Sequence, residues 1–335
     1  MADIQFKLAT FAATGGGKFA AIVMGDDAIG IDAAHRAYRD SAAGRAGALG
    51  DTNSVFGLLE DWDANFAVLQ AMADFIATEG VKSPRFAGAV ARLADLRPLA
   101  PVQRPGKILN AAQNFQEHVN EMIRAGMSPS DRQFTGEKTT SHPYHFLKAS
   151  SCLAGAYDDI AIPHGMSKID WEAEICIAIG RKAKRVPASR ALNHIAGFMT
   201  GNDVSCRDIQ MRPDRPGLRS DWFGGKCHDN FAPMGPFLVP RAFVPNHMKL
   251  RMHLSVNGAV KQDGNTSQFI YSPEEQIEFA SSIVTLETGD LFFCGTCGGV
   301  GQGTNTFLKV GDVMETEIEG LGRMRNRFVA DRVEA

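Results

Sequence analysis

IDWEAEICIAIG, residues 169–180, alternates between apolar and acidic side chains over its first half. The odd-numbered positions from Ile169 to Ile179 are apolar, whereas Asp170, Glu172 and Glu174 share the other parity. A period of two predicts a β-strand, because successive side chains of a strand point to opposite faces. Glu172 and Glu174 are therefore expected to point the same way, roughly 7 Å apart along the backbone.

Two carboxylates this close repel each other unless a cation lies between them. Downstream, the segment GND adds a third carboxylate, Asp203, and the segment GGK adds a cation, Lys226. Three carboxylates are oxygen ligands that suit Mg²⁺, Mn²⁺ or Ca²⁺ better than zinc. The alternative is that Glu172 and Glu174 lie on the solvated face of an amphipathic sheet.

The composition is that of an ordinary globular protein. The chain has 335 residues, enough for a large core and for two domains. A formal charge of −3 without a recurring basic stripe gives no reason to expect a nucleic acid partner. Six scattered cysteines indicate a reducing compartment, and we find neither a signal-peptide pattern nor an apolar run of membrane-spanning length. We therefore expect a cytoplasmic protein that binds neither nucleic acid nor membranes.

The first hundred residues predict a separate domain. Residues 1–35 indicate short strands joined by glycine turns, and TGGGK at 14–18 is a turn because it lacks the spacing of a phosphate-binding loop. Residues 54–78 have helical apolar spacing. Prolines 98, 101 and 105 then predict a linker. We expect an N-terminal α/β domain at 1–97, a linker at 98–106 and a second domain at 107–335.

A helix is predicted after residue 114, where NFQEHVNEMIRAG places Phe115, Val119 and Met122 on one face. His118 and Glu121 are three residues apart and are neighbours on the helix surface. A carboxylate beside an imidazole orients the ring, which is how a general base is arranged. The alternative is a surface pair without function.

Other segments predict loops and turns. Residues 124–142 are polar and aperiodic, which is typical of a lid, a binding loop or a disordered segment. Asn257-Gly258 predicts a hairpin, and SPEEQIEFASS at 272–282 predicts a helix with a serine cap. GTCGGVGQG at 295–303 is glycine-rich but is predicted to lead into a turn and strand, so a dinucleotide fingerprint is not expected.

Taken together, these motifs resemble those of the fumarylacetoacetate hydrolase superfamily. The resemblance covers residues 107–329 and is carried by NFQEHVNEM, DWEAEICIAIG, GNDVSCRDIQ, GGKCHDNFAPMGP, LETGDLFFCGTCGGVG and LKVGDVMETEIEGLG. It implies an α+β fold, with a mixed, barrel-like β-roll as the C-terminal catalytic core behind a small N-terminal α/β domain. It also implies a homodimer.

The resemblance assigns roles to individual residues. It implies that Glu172, Glu174 and Asp203 hold a Mg²⁺ or Mn²⁺ ion, with Ca²⁺ also possible. It implies a catalytic dyad of His118 and Glu121, and a lid over the substrate at 124–142. The remaining implied roles are an electrophilic stabiliser, Lys226, and substrate contacts, Arg207, Gln210 and Thr296, to which we add Arg124 and Arg132 from the start and middle of the lid. Cys297 stands where the family commonly has proline.

The implied activity is hydrolysis of a carbon–carbon bond in a 2,4-dioxo acid, such as an acylpyruvate or a sugar-derived diketo acid. The metal would act as a Lewis acid, His118 would activate water, and Lys226 would stabilise the expelled enolate. Decarboxylation of oxaloacetate-like acids, or keto–enol isomerisation of the 2-hydroxyhepta-2,4-diene-1,7-dioate type, is the alternative. A non-catalytic scaffold is a third, and it predicts that the set of polar residues is incomplete.

Overall fold

The computed structural model describes residues 4–41, 44, 47–124, 138, 141–218 and 220–331. Within these residues the fold is mixed α+β and is dominated by two large sheets, which confirms the predicted class. The sheets are open at their ends and do not close into a barrel. No described helix is both long enough and apolar enough to cross a bilayer.

The strands and helices of the described residues are as follows. The strands are β1 (Lys7–Ala12), β2 (Lys18–Met24), β3 (Asp27–Gly30), β4 (Val90–Arg92), β5 (Ile108–Ala112), β6 (Tyr144–Lys148), β7 (Leu153–Gly155), β8 (Ile160–Ile162), β9 (Ile169–Asp170), β10 (Ala173–Ile179), β11 (Ile195–Asn202), β12 (Ser205–Cys206), β13 (Ala232–Pro240), β14 (Arg251–Val256), β15 (Ala259–Asn265), β16 (Leu291–Thr296), β17 (Val313–Ile318) and β18 (Gly322–Ala330). The α-helices are α1 (Ile31–Arg39), α2 (Val55–Leu59), α3 (Trp62–Glu79), α4 (Gln116–Arg124), α5 (Ala188–Ala191), α6 (Arg207–Gln210), α7 (Trp222–Lys226), α8 (Pro273–Ile283) and α9 (Gly301–Thr304).

The largest sheet has eleven strands in the order β4-β3-β2-β1-β13-β11-β10-β16-β5-β6, with β7 paired to β13. A second sheet has the order β15-β14-β17-β18-β8, and β9 pairs with β12 separately. Most pairs are antiparallel, but β5 runs parallel to β16, β7 to β13 and β8 to β18.

Strand β10 lies inside the large sheet and is buried on both faces. Ile175, Ile177 and Ile179 face one hydrophobic cluster, and Cys176 and Ala178 face another. The side chains of Asp170, Glu172 and Glu174 are therefore buried in the interior. The alternative that the glutamate pair lies on a solvated face is wrong. The predicted strand 169–179 is interrupted, since residues 171–172 lie between β9 and β10.

The N-terminal strands continue the same sheet, because Leu8 of β1 pairs with Leu238 of β13. Helix α3 packs its buried residues, among them Leu69 and Met72, into the cluster beneath β1 and β2. TGGGK is the turn between β1 and β2, as predicted, whereas the helix predicted at 54–78 is divided into α2 and α3. The division into domains at 1–97, 98–106 and 107–335 stays a prediction.

The C-terminal predictions are confirmed except in the glycine-rich segment. Asn257-Gly258 joins β14 to β15, and Ser272 caps α8 in a capping box. The expectation that GTCGGVGQG leads into a strand without a helix is wrong, because α9 starts at Gly301. The Asp170 carboxylate accepts hydrogen bonds from the Gly301 and Gln302 amides at 2.6 and 3.0 Å, which supplies the anion that a helix start favours.

Strand register brings several strand ends to one edge of the large sheet. Ala173 at the start of β10 pairs with Asn202 at the end of β11, and Glu174 pairs with Thr296 at the end of β16. Because β5 is parallel to β16, it also ends at this edge and leads there into α4. Residues from distant parts of the chain therefore meet at this edge.

The packing of β11 on β13 gives a stability prediction. A Cβ at Gly197 would overlap the backbone of Val239, whereas a Cβ at Gly30 would meet nothing closer than 3.9 Å. We expect Gly197→Ala to lower the free energy of unfolding by about 1–3 kcal/mol. Gly30→Ala should change it by about 0.5 kcal/mol or less. Urea denaturation of both variants measures this, and equal stabilities would contradict the packing described for β11.

Candidate active site

Three carboxylates converge at the edge of the large sheet where β10 begins. Glu172, Glu174 and Asp203 each offer one oxygen, and these oxygens lie within 4.8 Å of one another. Glu174 and Asp203 are fully buried, and Glu172 is 7 % exposed. The Asp203 amide donates to the Glu172 carbonyl at 2.9 Å, which ties the residue after β11 to the residue before β10.

Three cations surround these carboxylates. Lys226 Nζ lies 2.6 Å from Asp203 Oδ2 and 2.9 Å from Glu172 Oε1. Lys148 Nζ donates to Asp203 Oδ1 at 2.5 Å, and also to two backbone carbonyls. Because each ammonium has three N–H donors, these contacts fix Asp203 on both of its oxygens.

The third cation, Arg207, joins two carboxylates. Its Nη2 lies 2.5 Å from Glu172 Oε1, and its Nε donates to Asp170 Oδ2 at 2.9 Å. With Asp170 included, four buried carboxylates face the three cations of Lys148, Lys226 and Arg207. The group carries one excess negative charge when all seven side chains are ionised.

The pKa values show which carboxylate is in excess. Burial alone would raise the pKa of Glu172, but the charges of Lys226 and Arg207 outweigh burial and hold it well below its usual range. The pKa of Glu174 is raised well above its usual range by burial and by the charges of Asp203 and Glu172. In the absence of a further cation, Glu174 therefore favours its protonated form.

The position of Glu174 fits a metal ligand. Its Oε2 accepts the Gly295 amide at 2.6 Å, whereas its buried Oε1 has no hydrogen-bond partner among the described residues. A buried oxygen without a partner is costly, and a cation at this point would satisfy it. The three predicted metal ligands thus come together, and an all-oxygen set of this kind suits Mg²⁺ or Mn²⁺.

The predicted dyad lies beside the triad. His118 Nδ1 is 3.5 Å from Glu121 Oε2, and Glu121 accepts the Gly299 amide at 3.1 Å. His118 and Glu172 line one cavity of about 160 Å³. Sterics explain why the segment at 295–303 is rich in glycine, because a Cβ at Gly303 would overlap the Glu121 carboxylate. Helix α4 can therefore approach this segment only where side chains are missing.

The cavity also receives most of the predicted substrate contacts. Arg207, Gln210 and Thr296 line it, and so does Lys226, the predicted electrophilic stabiliser. Arg207 is already bonded to Asp170, Glu172 and Gln210, so it orients its neighbours as well as facing the cavity.

One predicted contact stays apart from the cavity. Arg124 is exposed at the end of α4 and does not line it, so its role stays a prediction. Most of the predicted lid at 124–142, Arg132 included, lies outside the described residues.

Two members of the charged group were not predicted as functional residues. From the sequence, neither Lys148 nor Asp170 was assigned a functional role. Lys148 gave a weak signal, since it shares the parity of Tyr144 and Phe146 on β6, and Phe146 lines the cavity. Asp170 shares the parity of Glu172 and Glu174, and this signal was available in the sequence.

Comparison with known proteins agrees with this geometry. The family model for the Fumarylacetoacetate (FAA) hydrolase C-terminal domain matches residues 107–329. The chain is 37 % identical over 233 residues to the mitochondrial oxaloacetate tautomerase FAHD2A of Homo sapiens, covering 69 % of each chain. It is 38 % identical over 233 residues to a maleylpyruvate hydrolase of Aquipseudomonas alcaligenes, covering 69 % of this chain and 75 % of that one.

Solved structures are also similar. A 2-hydroxyhepta-2,4-diene-1,7-dioate isomerase from Mycobacterium marinum superposes with a TM-score of 0.67 at 27 % identity, over 98 % of this chain and all of that one. A fumarylpyruvate hydrolase from Pseudomonas aeruginosa, in complex with Mn²⁺ and pyruvate, has a TM-score of 0.59 at 28 % identity, over 70 % of this chain and 92 % of that one.

Because the group has one carboxylate in excess, we expect substitution of Glu174 and substitution of Glu172 to change the stability of the metal-free protein in opposite directions. Because the pKa of Glu174 is raised in the native protein by burial and by the neighbouring carboxylates, stability should fall as the pH rises above the ordinary range of a glutamate. Glu174→Gln removes this cost, and we expect it to stabilise the metal-free protein by about 1–3 kcal/mol at pH 7 and by less at pH 5. Thermal unfolding in EDTA at both pH values measures the difference.

Glu172→Gln is the matched variant, because it leaves Lys226 and Arg207 short of a buried anion. We expect a loss of about 3–5 kcal/mol, as when a buried ion pair loses one partner. Both variants should lose Mn²⁺ binding in calorimetric titration. A stabilising effect of Glu172→Gln, or a destabilising one of Glu174→Gln, would contradict the charge balance described.

Proposed function

The chain belongs to the fumarylacetoacetate hydrolase family, and on that premise we propose that it is a metal-dependent hydrolase that cleaves a carbon–carbon bond in a 2,4-dioxo acid. The observation that carries the proposal is that His118, which lies beside Glu121, lines the same cavity as Glu172 of the acidic triad. A base beside the metal ligands can activate water, which hydrolysis requires. The similarity to a maleylpyruvate hydrolase supports the same class of reaction.

Glu172, Glu174 and Asp203 would hold the ion, for which we propose Mg²⁺ or Mn²⁺, with Ca²⁺ as a further candidate. When bound, the ion supplies a Lewis acid for the 2-oxo and carboxylate oxygens of the substrate. The role of Lys148 and Lys226 is to fix Asp203 before substrate arrives, because they hold both of its oxygens.

His118 is the proposed general base. Its Nδ1 faces Glu121, which leaves Nε2 as the nitrogen that can take a proton from water in the cavity. Glu121, held by the Gly299 amide, stabilises the imidazolium that results. Lys226 has used two of its three N–H donors on Asp203 and Glu172, and the third can donate to the negative charge that develops on the departing enolate. Arg207, Gln210 and Thr296 are the proposed substrate contacts.

A second candidate is tautomerisation or decarboxylation of oxaloacetate-like acids, or isomerisation of 2-hydroxyhepta-2,4-diene-1,7-dioate. The similarity to an oxaloacetate tautomerase and to a dienedioate isomerase favours it. These reactions share the enolate chemistry but need no attacking water. We also keep a homodimer and a cytoplasmic location as proposals, the first of which sedimentation equilibrium would test.

A histidine substitution tests the role of the base. We expect His118→Asn to lower kcat for acylpyruvate hydrolysis by about 10²–10⁴-fold, because it removes general-base catalysis. Mn²⁺ affinity should stay within about threefold, since His118 is not one of the three proposed ligands. His164→Asn, at an exposed position away from the cavity, is the matched control and should match the parent. Full activity of His118→Asn would refute the proposed role.

Substrate choice separates the two candidate functions. With Mn²⁺ present, the parent should hydrolyse acetopyruvate to acetate and pyruvate, measured by pyruvate formation. If it tautomerises or decarboxylates oxaloacetate instead and leaves every acylpyruvate intact, the second candidate replaces the first. A protein inactive on both after metal loading would contradict an enzyme of either type.

A further inference from the structure

A second, wider cleft opens directly from the active-site cavity. This annex has a volume of about 560 Å³ and shares Ala112, Gln113, Ser220 and Trp222 with the cavity wall. Its outer part is formed by Tyr144, Leu218 and Tyr271, together with Ser141 and His142. A substrate that binds at the triad and is too long for the cavity would extend into the annex.

A row of aromatic rings connects the two spaces. Lys226 Nζ lies 5.3 Å from the centre of the Phe146 ring, and Phe146 stacks on Trp222 with ring centres 4.7 Å apart. Tyr144 follows, 5.6 Å from Trp222. Tyr144 and Phe146 face the same side because they are two residues apart on β6. The wall from the charged group to the annex is therefore a continuous aromatic surface.

The described residues that line the annex include no lysine, arginine, aspartate or glutamate. His142 is the only one that can carry a positive charge, and its ring stacks on Phe279 at 5.7 Å. The cations described nearby are already paired. Lys138, above the Tyr271 ring, is 2.7 Å from Glu275, and Arg212 is bonded to Asp214 and Asp221.

We propose that the annex is a specificity site for an uncharged aromatic or other apolar tail of the substrate. The inference rests on the proposed function and narrows it, from 2,4-dioxo acids in general to those whose acyl group carries an aryl or bulky alkyl tail. A tail that ends in a carboxylate would lose its hydration in the annex and would meet no lysine or arginine among the described lining residues, so it is disfavoured. An apolar ring would instead stack on Trp222 and Tyr144.

Binding of 2-oxo acids tests the annex without requiring turnover. The probes are 2-oxobutanoate, 2-oxo-4-phenylbutanoate and 2-oxo-4-(4-carboxyphenyl)butanoate, titrated calorimetrically into the Mn²⁺-loaded protein. We expect the phenyl probe to bind at least tenfold more tightly than 2-oxobutanoate, a factor typical of added apolar contact in a pocket. The carboxyphenyl probe should lose most of this gain. A phenyl probe no tighter than 2-oxobutanoate, or a carboxyphenyl probe tighter than both, would overturn the proposal.

Two substitutions on neighbouring residues locate the effect. Trp222→Ala should reduce the phenyl advantage, measured against 2-oxobutanoate in the same variant, to about threefold or less, and a thermal unfolding transition shows that the variant is folded. Phe223→Ala is the matched control, because Phe223 is the next residue of α7, is 76 % exposed and lines neither space. An equal loss in both variants, or no loss in Trp222→Ala, would contradict a site on this wall.

A charge introduced into the annex should reverse the preference. Tyr144→Arg places a cation at an exposed position of the aromatic row and should favour the carboxyphenyl over the phenyl probe by about tenfold relative to the parent. An unchanged preference would count against the annex as the tail site.

Turnover separates this inference from the proposed function. Cleavage of acetopyruvate with no phenyl advantage in binding would overturn the annex and leave the function standing. A phenyl advantage without cleavage of any 2,4-dioxo acid would overturn the function and leave the annex as a binding site.

Discussion

Asp170, Glu172 and Asp203 are buried against Lys148, Lys226 and Arg207, and neither set of charges is stable in the interior without the other. Transfer of a single unpaired charge from water into the protein costs several kcal/mol, so these six groups must be buried together. They come from β6, β9, the ends of β10 and β11, and helices α6 and α7. The mutual requirement fixes the positions of these elements and, among the four carboxylates described above, leaves Glu174 without an ion-pair partner.

The location of this group follows from strand direction. Strands β11, β16 and β5 end at the edge of the sheet where β10 begins. The three carboxylates of the triad and helix α4, which carries His118, therefore lie at this one edge. One side of the resulting cavity is charged and the other is aromatic, because β6 turns Phe146 toward Lys226 and Trp222. A 2-oxo acid has the same asymmetry, with a polar head and a variable tail, and this match of substrate and cavity supports both proposals.

Local sequence patterns predicted helix α4, the hairpin at Asn257 and the residues that form the acidic cluster, whereas the fold class was implied by the family resemblance. They did not predict that β10 is buried on both faces, because the alternation of acids and apolar residues looks the same whether the acids face water or buried lysines. Lys148 meets Asp203 across 55 residues and Gly301 meets Asp170 across 131, so no short window contains either pair. The start of α9 was missed for the same reason, since its capping anion comes from β9.

The hydrogen bond from Gly299 to Glu121 spans 178 residues of chain. A ribosome delivers the N-terminal partner first, and α4 then lacks both the amide that holds Glu121 and the bare glycine surface on which it rests. Formation of so distant a contact is slow compared with formation of the helix itself. In a nascent or prematurely terminated polypeptide that ends before residue 299, Glu121 therefore lacks this amide even where the earlier strands have folded.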